Sequence, residues 1–261
     1  YHQCVPFLNL SICLFIISLF LIFTGYKKVK TTQTKLHLLR NTIHFGGQTG
    51  WLYGVAFLPL ADVFAIEFTA PIWTALLAIL FLKERLNRYR ALSIFLGFTG
   101  IIIILRPGFQ IIQPAAFIVL FASFCFASTY VFTRYMSATE SPLTIIFYMN
   151  LVQLPLGFIA SLYNWTLPSL ESWPWLALLG LTGIGSHFCF ANAFRYGDAI
   201  VVTPIDFIRL PLIALIGWSI YNESWDLVIF VGGTVIFSGN LINLLAEQKF
   251  AKKSSETNTR A

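Results

Sequence analysis

Residues 67–108 read EFTAPIWTALLAILFLKERLNRYRALSIFLGFTGIIIILRPG. An acid, Glu67, opens an apolar run that contains Pro71 and ends at Lys83-Glu84-Arg85; a second apolar run then closes on Arg106-Pro107-Gly108. Taken from residue 62 the first run is long enough to cross a hydrocarbon layer about 30 Å thick; the second, 91–106, is short, but Arg88 and Arg90 before it and Arg106-Pro107-Gly108 after it mark both ends of a second crossing. The acid is the exception within its run, and it recurs. Asp206 lies 139 residues further on inside another apolar segment, and the same shift superimposes Ala75 on Ala214, Leu76 on Leu215, Glu84 on Glu223, Phe98 on Phe237 and Gly100 on Gly239. Matches in one ungapped register indicate a duplicated helical unit.

Working outward, the chain of 261 residues is 57% hydrophobic and only 11% charged, with a mean hydropathy of +0.76. Soluble domains average about 25% charged residues, so the solvent for most of this chain is lipid. The pattern predicts nine spans: 5–25, 37–58, 62–82, 91–106, 114–134, 143–163, 174–195, 199–220 and 226–245. The expected fold class is therefore an all-α integral membrane protein. Its halves are residues 1–108 and 114–246, followed by a tail over 247–261. The formal charge of +6 does not indicate nucleic acid, because the basic residues fall in short loops and the tail. Cys4, Cys13, Cys125 and Cys189 are isolated, and the four His form no ligand pair, so neither metal nor cofactor is expected.

Basic residues also set orientation, since Lys and Arg stay on the cytoplasmic side. Of the 17, all but Arg106 and Arg209 fall to one side when loops alternate, including Lys35 and Arg40 in the first basic cluster. The tail is then cytoplasmic and Tyr1 external. The second unit has five spans and the first only four, so one span is expected to be missing ahead of Tyr1. Segment 5–25 is not read as a secretory signal, because its positive flank follows it and no small-residue cleavage site is present. Five spans per unit invert consecutive units relative to the membrane, and inverted repeats are a signature of transporters with a midplane site.

The run from Glu67 to Gly108, with Pro71, Leu82-Lys83-Glu84-Arg85, Gly97, Gly100 and Arg106-Pro107-Gly108, resembles the EamA-type drug/metabolite transporter superfamily. Leu58-Pro59-Leu60-Ala61-Asp62 fits ahead of it, and Asn222-Glu223 with Gly239 match more loosely in the second unit. The resemblance covers nearly the whole chain. It implies a ten-helix bundle of two inverted five-helix repeats, cytoplasmic termini and secondary transport of small metabolites rather than catalysis. It implies no substrate, because the matching residues are structural. With the short loops, it also implies a bacterial inner membrane, although organellar and plasma membranes of eukaryotes use the same architecture.

The candidate functional residues follow from the cost of burying charge, about 2.5–3.5 kcal/mol at a helix centre on insertion scales. Glu67 and Asp206 read as proton-binding groups or contacts for a cationic or polar substrate; the alternative is a pair of carboxylates satisfied by polar neighbours. Arg209, whose repeat counterpart is Ala70, sits three residues from Asp206 on one helical face. It is expected to meet an anionic substrate group with Asp206 holding it in the empty site, or else to form a permanent packing pair. Pro71, Pro204 and Pro211 remove backbone donors beside these residues and are expected to kink the helices. His44, Gln48 and Trp51 fall within about 60° on one helix, opposite a glycine face of Gly46, Gly50 and Gly54. The polar face suits a cavity and the glycine face a close helix contact. Asn150 with Gln153, and His187 with Asn192, are candidates of the same type, although interhelical hydrogen bonds explain them as well. Glu84 and Asp62, at span ends, read as solvated or capping groups.

The expected partners are a small-molecule solute, the lipid bilayer, and protons or a counter-substrate; a homodimer is compatible with the sequence but not readable in it. Proton coupling and metabolite exchange both fit. An intramembrane enzyme is the competing class, but Gly185-Ser186-His187 lacks a third catalytic member. A receptor or assembly protein would have no evident use for a duplicated inverted unit.

Overall fold

A computed structural model describes residues 11–13, 25, 29–84, 86–105, 113–162, 169–206 and 209–221, with shorter pieces within 227–246. The predicted spans 5–25 and 226–245 lie largely outside the described residues. Among those described, every regular element is helical. The helices are α1 (Thr34–Phe57), α2 (Leu60–Glu67), α3 (Ala70–Leu77, continuing as a π-turn Ala78–Leu82), α4 (Arg88–Leu105), α5 (Pro114–Met136), α6 (Pro142–Ser161), α7 (Trp173–Tyr196), α8 (Ala199–Ile205) and α9 (Arg209–Tyr221).

Pro114–Met136, Pro142–Ser161 and Leu170–Tyr196 are long and apolar enough to cross a membrane. Helix α1 has the length, 24 residues, but carries His37, Arg40, Asn41, His44 and Gln48 on one face. That placement corrects the loop assignment of Arg40: it lies within α1 and is 3% exposed. The exposed surface is what lipid selects. Helix α5 turns Phe117 and Phe121 outward and buries Val119, Ala122 and Cys125, since apolar bulk costs nothing against acyl chains and small residues let backbones approach.

The chain divides into two compact units, residues 1–45 with 132–197 and residues 46–131 with 198–261. Helices α1 and α5 contribute to both. In the first unit, Met136, Ile145 and Ala191 pack with Leu36, and Val29, Ile146 and Met149 pack with Leu143, Phe147 and Ile184. Helix α6 starts where Ser141 caps it, its side chain accepting from the Thr144 N–H with Pro142 following. Arg134 donates to the Phe194 carbonyl at 2.7 Å, satisfying one of the free acceptors in the last turn of α7.

In the second unit the predicted spans 62–82 and 199–220 are each broken. Helix α2 ends at Glu67 and α3 begins at Ala70; α8 ends at Ile205, Asp206 turns more tightly, and helix is described again from Arg209. Glu67 precedes Asp206 by the 139 residues of the sequence repeat, so the first half-helices end at or beside equivalent acids. Helix α2 packs on α9, and α3 on α8. First half against second half, twice, is the pairing of two broken helices that run in opposite directions.

The close glycine contact is also here. A Cβ on Gly54 would fall 2.2 Å from Val119 Cγ2, on Gly47 2.8 Å from Cys125 Cβ and on Gly50 3.3 Å from Ile118 Cγ2, whereas one on Gly46 meets nothing within 4 Å. The contact face is thus Gly47, Gly50 and Gly54 rather than one that includes Gly46. Spacing of i, i+3 and i+7 keeps these three within about 60°, with Gly46 at the edge of the stripe. Two polar contacts also join the ends of helices in this unit: Glu84 accepts from the Ala199 N–H at 2.9 Å, and Arg90, in the first turn of α4, pairs with Asp198 at 2.9 Å. The first contact puts a carboxylate on the N-terminus of α8, where its free N–H groups favour an anion.

Candidate substrate and coupling site

The site begins with a missing backbone donor. Pro71 has no N–H, so the Glu67 carbonyl loses its helical partner. The chain responds locally: Thr69 Oγ1 donates to the Ile66 carbonyl at 2.8 Å, and Ser123 Oγ on α5 donates to the Glu67 carbonyl at 3.3 Å. The two hydroxyls lie 2.7 Å apart. Phe68 and Thr69 take φ/ψ near −68°/2° and −71°/−14°, a tightened turn that ends α2 with the Glu67 side chain projecting at the break. Pro204 lies within α8 and removes the donor that would meet the Ile200 carbonyl, and Pro211 lies within α9.

Glu67 is 7% exposed. Its Oε2 accepts from Trp51 Nε1 at 2.6 Å, and its Oε1 accepts from Arg209 NH2 at 2.7 Å. The same nitrogen donates to Asp206 Oδ2 at 2.8 Å. One guanidinium nitrogen therefore serves both acids. Arg209 also lies over the rings of Phe64 and Phe68, 5.2 and 5.5 Å from their centroids, and Trp51 meets Phe64 edge-on at 5.5 Å. The Arg209 side chain keeps 40% of its surface accessible, so the cation is held without being sealed. The Tyr130 phenol lies within electrostatic reach of all three charged groups. With both acids ionised the trio carries one net negative charge. Arg209 is bound to Glu67 as well as to Asp206, so neither single partnership describes it.

Of the remaining candidates, Gln48 is half-buried in this unit and its Oε1 has no hydrogen-bond partner among the described residues. The first unit holds the rest. Gln153 Nε2 stands 2.7 Å from His44 Nδ1 and 3.3 Å from the Asn41 carbonyl that accepts from it. His187 meets His44 edge-on at 5.1 Å. Asn150 and Asn192 each donate to the carbonyl four residues back in their own helices, at 2.9 and 3.0 Å, a local use that the interhelical expectation did not foresee. Sequence reasoning missed Ser123, Phe64, Phe68 and Tyr130, which carry no signal of their own. It also missed Arg40, although its spacing with His37, Asn41 and His44 marks one helix face.

An all-helical membrane chain with two antiparallel broken helices, and an acid–guanidinium–acid bridge at the breaks, has the build of a transport protein. The profile of the EamA-like transporter family matches residues 3–106 and 113–245, and the chain belongs to that family. The chain is 28% identical over 234 residues to the "S-adenosylmethionine uptake transporter" of Rickettsia bellii (strain RML369-C), covering 90% of this chain and 80% of the relative. It is 28% identical over 224 residues to the "Riboflavin transporter" of Brucella anthropi, covering 83% and 78% respectively. Among solved structures, one crystal structure superposes with a TM-score of 0.73 at 14% identity, covering 95% of this chain and 88% of the solved one.

Proposed function

We propose that this protein is a secondary carrier of a small metabolite across a bacterial inner membrane. In this reading residues 1–108 and 114–246 are inverted repeats that rock about a centre of Glu67, Asp206 and Arg209. The observation that carries the proposal is the shared guanidinium. Acids from equivalent positions, each at the break of its helix, hold one Arg209 nitrogen at 2.7 and 2.8 Å. Discontinuous helices of this kind build substrate and ion sites in many secondary transporters. A cationic group entering the site competes with Arg209 for a carboxylate, and a proton on either acid has the same effect. Either event loosens the bridge and biases one conformation over the other, which is the differential interaction a switch requires. The double match of the family profile supports the two-repeat division, and the basic loops support a cytoplasmic tail.

The substrate that fits best is S-adenosylmethionine or a relative of it. Its positive sulfonium suits a centre with one net negative charge, and its adenine suits the partly buried aromatic side chains Phe64 and Trp51 beside that centre. Riboflavin is the second reading, favoured by the similarity to the Brucella anthropi protein and by the same aromatic rings. The test is uptake of labelled S-adenosylmethionine and of labelled riboflavin into proteoliposomes containing the full-length protein, with and without an imposed proton gradient. Saturable uptake of the first compound above empty vesicles supports the assignment, and acceleration by the gradient supports coupling. Uptake of riboflavin alone selects the second reading, and uptake of neither overturns both.

A further inference from the structure

Arg209 meets two acids through a single nitrogen. A guanidinium carries five N–H donors, and both ion pairs described for this one leave from NH2, at 2.7 Å to Glu67 Oε1 and 2.8 Å to Asp206 Oδ2. Nε is buried without a hydrogen-bond partner, and no acceptor meets NH1 among the described residues. Phe64 and Phe68 lie against the group with their rings and offer it no oxygen. The two acids are held unequally. Glu67 is fixed on its other oxygen by Trp51, and its side chain is 9% accessible; that of Asp206 is 22% accessible and bonds only to Arg209 among the described residues. Asp206 is therefore the acid that an incoming group can take.

A cation that takes Asp206 from Arg209 meets the charge of the acid but leaves the guanidinium with one bond fewer. Losing a charge-assisted partner away from water is costly. Each hydrogen on NH2 points along the same edge as a hydrogen of either NH1 or Nε. Release of Asp206 thus turns the bridge into an open two-donor fork, the shape that matches a carboxylate. An anion by itself cannot exploit the fork, because the centre carries one net negative charge and Asp206 still occupies NH2. A ligand with both charges leaves none of them unpaired: its cation meets Asp206, its carboxylate meets the freed edge of Arg209, and Glu67 stays in place. The two charges must also be close together, since they replace an ion pair in hydrogen-bond contact. An ammonium and a carboxylate on one carbon meet that condition.

We propose that Asp206 and Arg209 bind the α-amino acid head group of the carried metabolite, with the ammonium on Asp206 and the carboxylate on the guanidinium edge that Asp206 gives up. This inference rests on the carrier reading and deepens it, from a cationic substrate to one with a zwitterionic head. S-adenosylmethionine has such a head group; riboflavin has neither charge. The sulfonium adds attraction to a negative centre, and the head group supplies the specificity.

The experiment measures displacement of labelled S-adenosylmethionine from the purified full-length protein by two compounds. S-adenosylhomocysteine keeps the head group and lacks the sulfonium; decarboxylated S-adenosylmethionine keeps the sulfonium and lacks the carboxylate. The first displaces more effectively than the second, and loss of the carboxylate weakens binding about 10- to 100-fold, the range for a charge-assisted hydrogen bond. Arg209→Lys keeps a cation between the acids but offers a single nitrogen, and it abolishes the preference for the carboxylated compound. Equal affinity of wild type for S-adenosylmethionine and its decarboxylated form overturns the assignment and leaves the carrier reading intact; so does a preference of the same size in Arg209→Lys. The expected preference without uptake into proteoliposomes refutes the carrier and keeps the site. If labelled S-adenosylmethionine does not bind, that substrate reading fails. The melting temperature measured with each common α-amino acid, and with the amine left by its decarboxylation, then decides the assignment. A rise with an amino acid and none with its amine upholds it, and the absence of any such pair overturns it.

Discussion

Replacing Glu67 with Gln separates a transport role for the acid from a packing role, because the structure fixes what is lost. The carboxylate accepts from Trp51 at 2.6 Å and from Arg209 at 2.7 Å. The amide has one acceptor oxygen and turns a donor toward the other partner, so one charge-assisted bond is lost, about 1.5–3 kcal/mol. Against that, a buried ionised group is removed from a membrane helix, where its insertion costs about 2.5–3.5 kcal/mol. Arg209 keeps Asp206 at 2.8 Å and so is not left unpaired. The two effects offset to within about 1 kcal/mol, or about 2–4 °C in melting temperature for a chain of this size. Binding of a cation is a different matter. Deleting one negative charge about 5 Å from a positive ligand, at an effective dielectric of about 20, removes roughly 3 kcal/mol of attraction, about a hundredfold in affinity. Proteoliposome uptake at subsaturating S-adenosylmethionine, measured beside thermal unfolding of the same preparation, reads both quantities. The expected result is a melting temperature close to wild type with uptake reduced by at least tenfold. Wild-type uptake in Glu67→Gln refutes the charge argument, and a collapse in melting temperature shows that the acid's main role is structural.

The packing interpretation makes its own commitments. Gly54→Ala drives a methyl group to 2.2 Å from Val119 Cγ2 and should cost about 1–3 kcal/mol by overpacking, seen as a lower melting temperature that Val119→Ala restores. Gly46→Ala, which meets open space, should be neutral or stabilising by up to about 1 kcal/mol. Ser123→Ala leaves the Glu67 carbonyl without its 3.3 Å donor and should cost about 1–3 kcal/mol. Glu84→Ala removes the carboxylate from the Ala199 N–H and should cost about 1 kcal/mol, with Glu84→Gln recovering part of it.

How much of this was legible in the sequence depends on whether the deciding information is local. Helices α4 to α7 begin and end within a few residues of their expected positions, because Pro114, Pro142 and the charged flanks act on the adjacent backbone. The 139-residue shift located equivalent acids without any structure, since it compares the chain with itself. What could not be read is what joins distant residues. The Glu67–Arg209 bond spans 142 positions, and Arg209 faces Ala70 in the repeat, so symmetry points away from that bond. Arg40 was misplaced for a different reason. Counting every basic residue near a span end as a loop residue ignores that α1 starts at Thr34, which puts Arg40 nearly two turns inside. Gly46 was chosen over Gly47 because a four-residue spacing was assumed, whereas the contact follows the i, i+3, i+7 stripe.

Proline alone does not explain the breaks. Pro155 lies inside α6, and that helix runs on to Ser161, while the helix before Pro71 stops at Glu67. At the second position the freed backbone has other partners to turn to: Ser123 takes the Glu67 carbonyl and Thr69 takes that of Ile66. Hydroxyl groups that offer such alternatives compete with helix propagation, so proline removes one bond and the hydroxyls stabilise the bent result. The break then has an electrostatic consequence. It brings the negative C-terminal end of one half-helix and the positive N-terminal end of the next within three residues of each other, beside a carboxylate and a guanidinium. A continuous helix buries both of its ends' partial charges outside the hydrocarbon; a broken one presents both signs within it. For a carrier whose substrate bears charge of either sign, that is the more useful arrangement, and in this chain it follows from Pro71, Thr69 and Ser123 acting together.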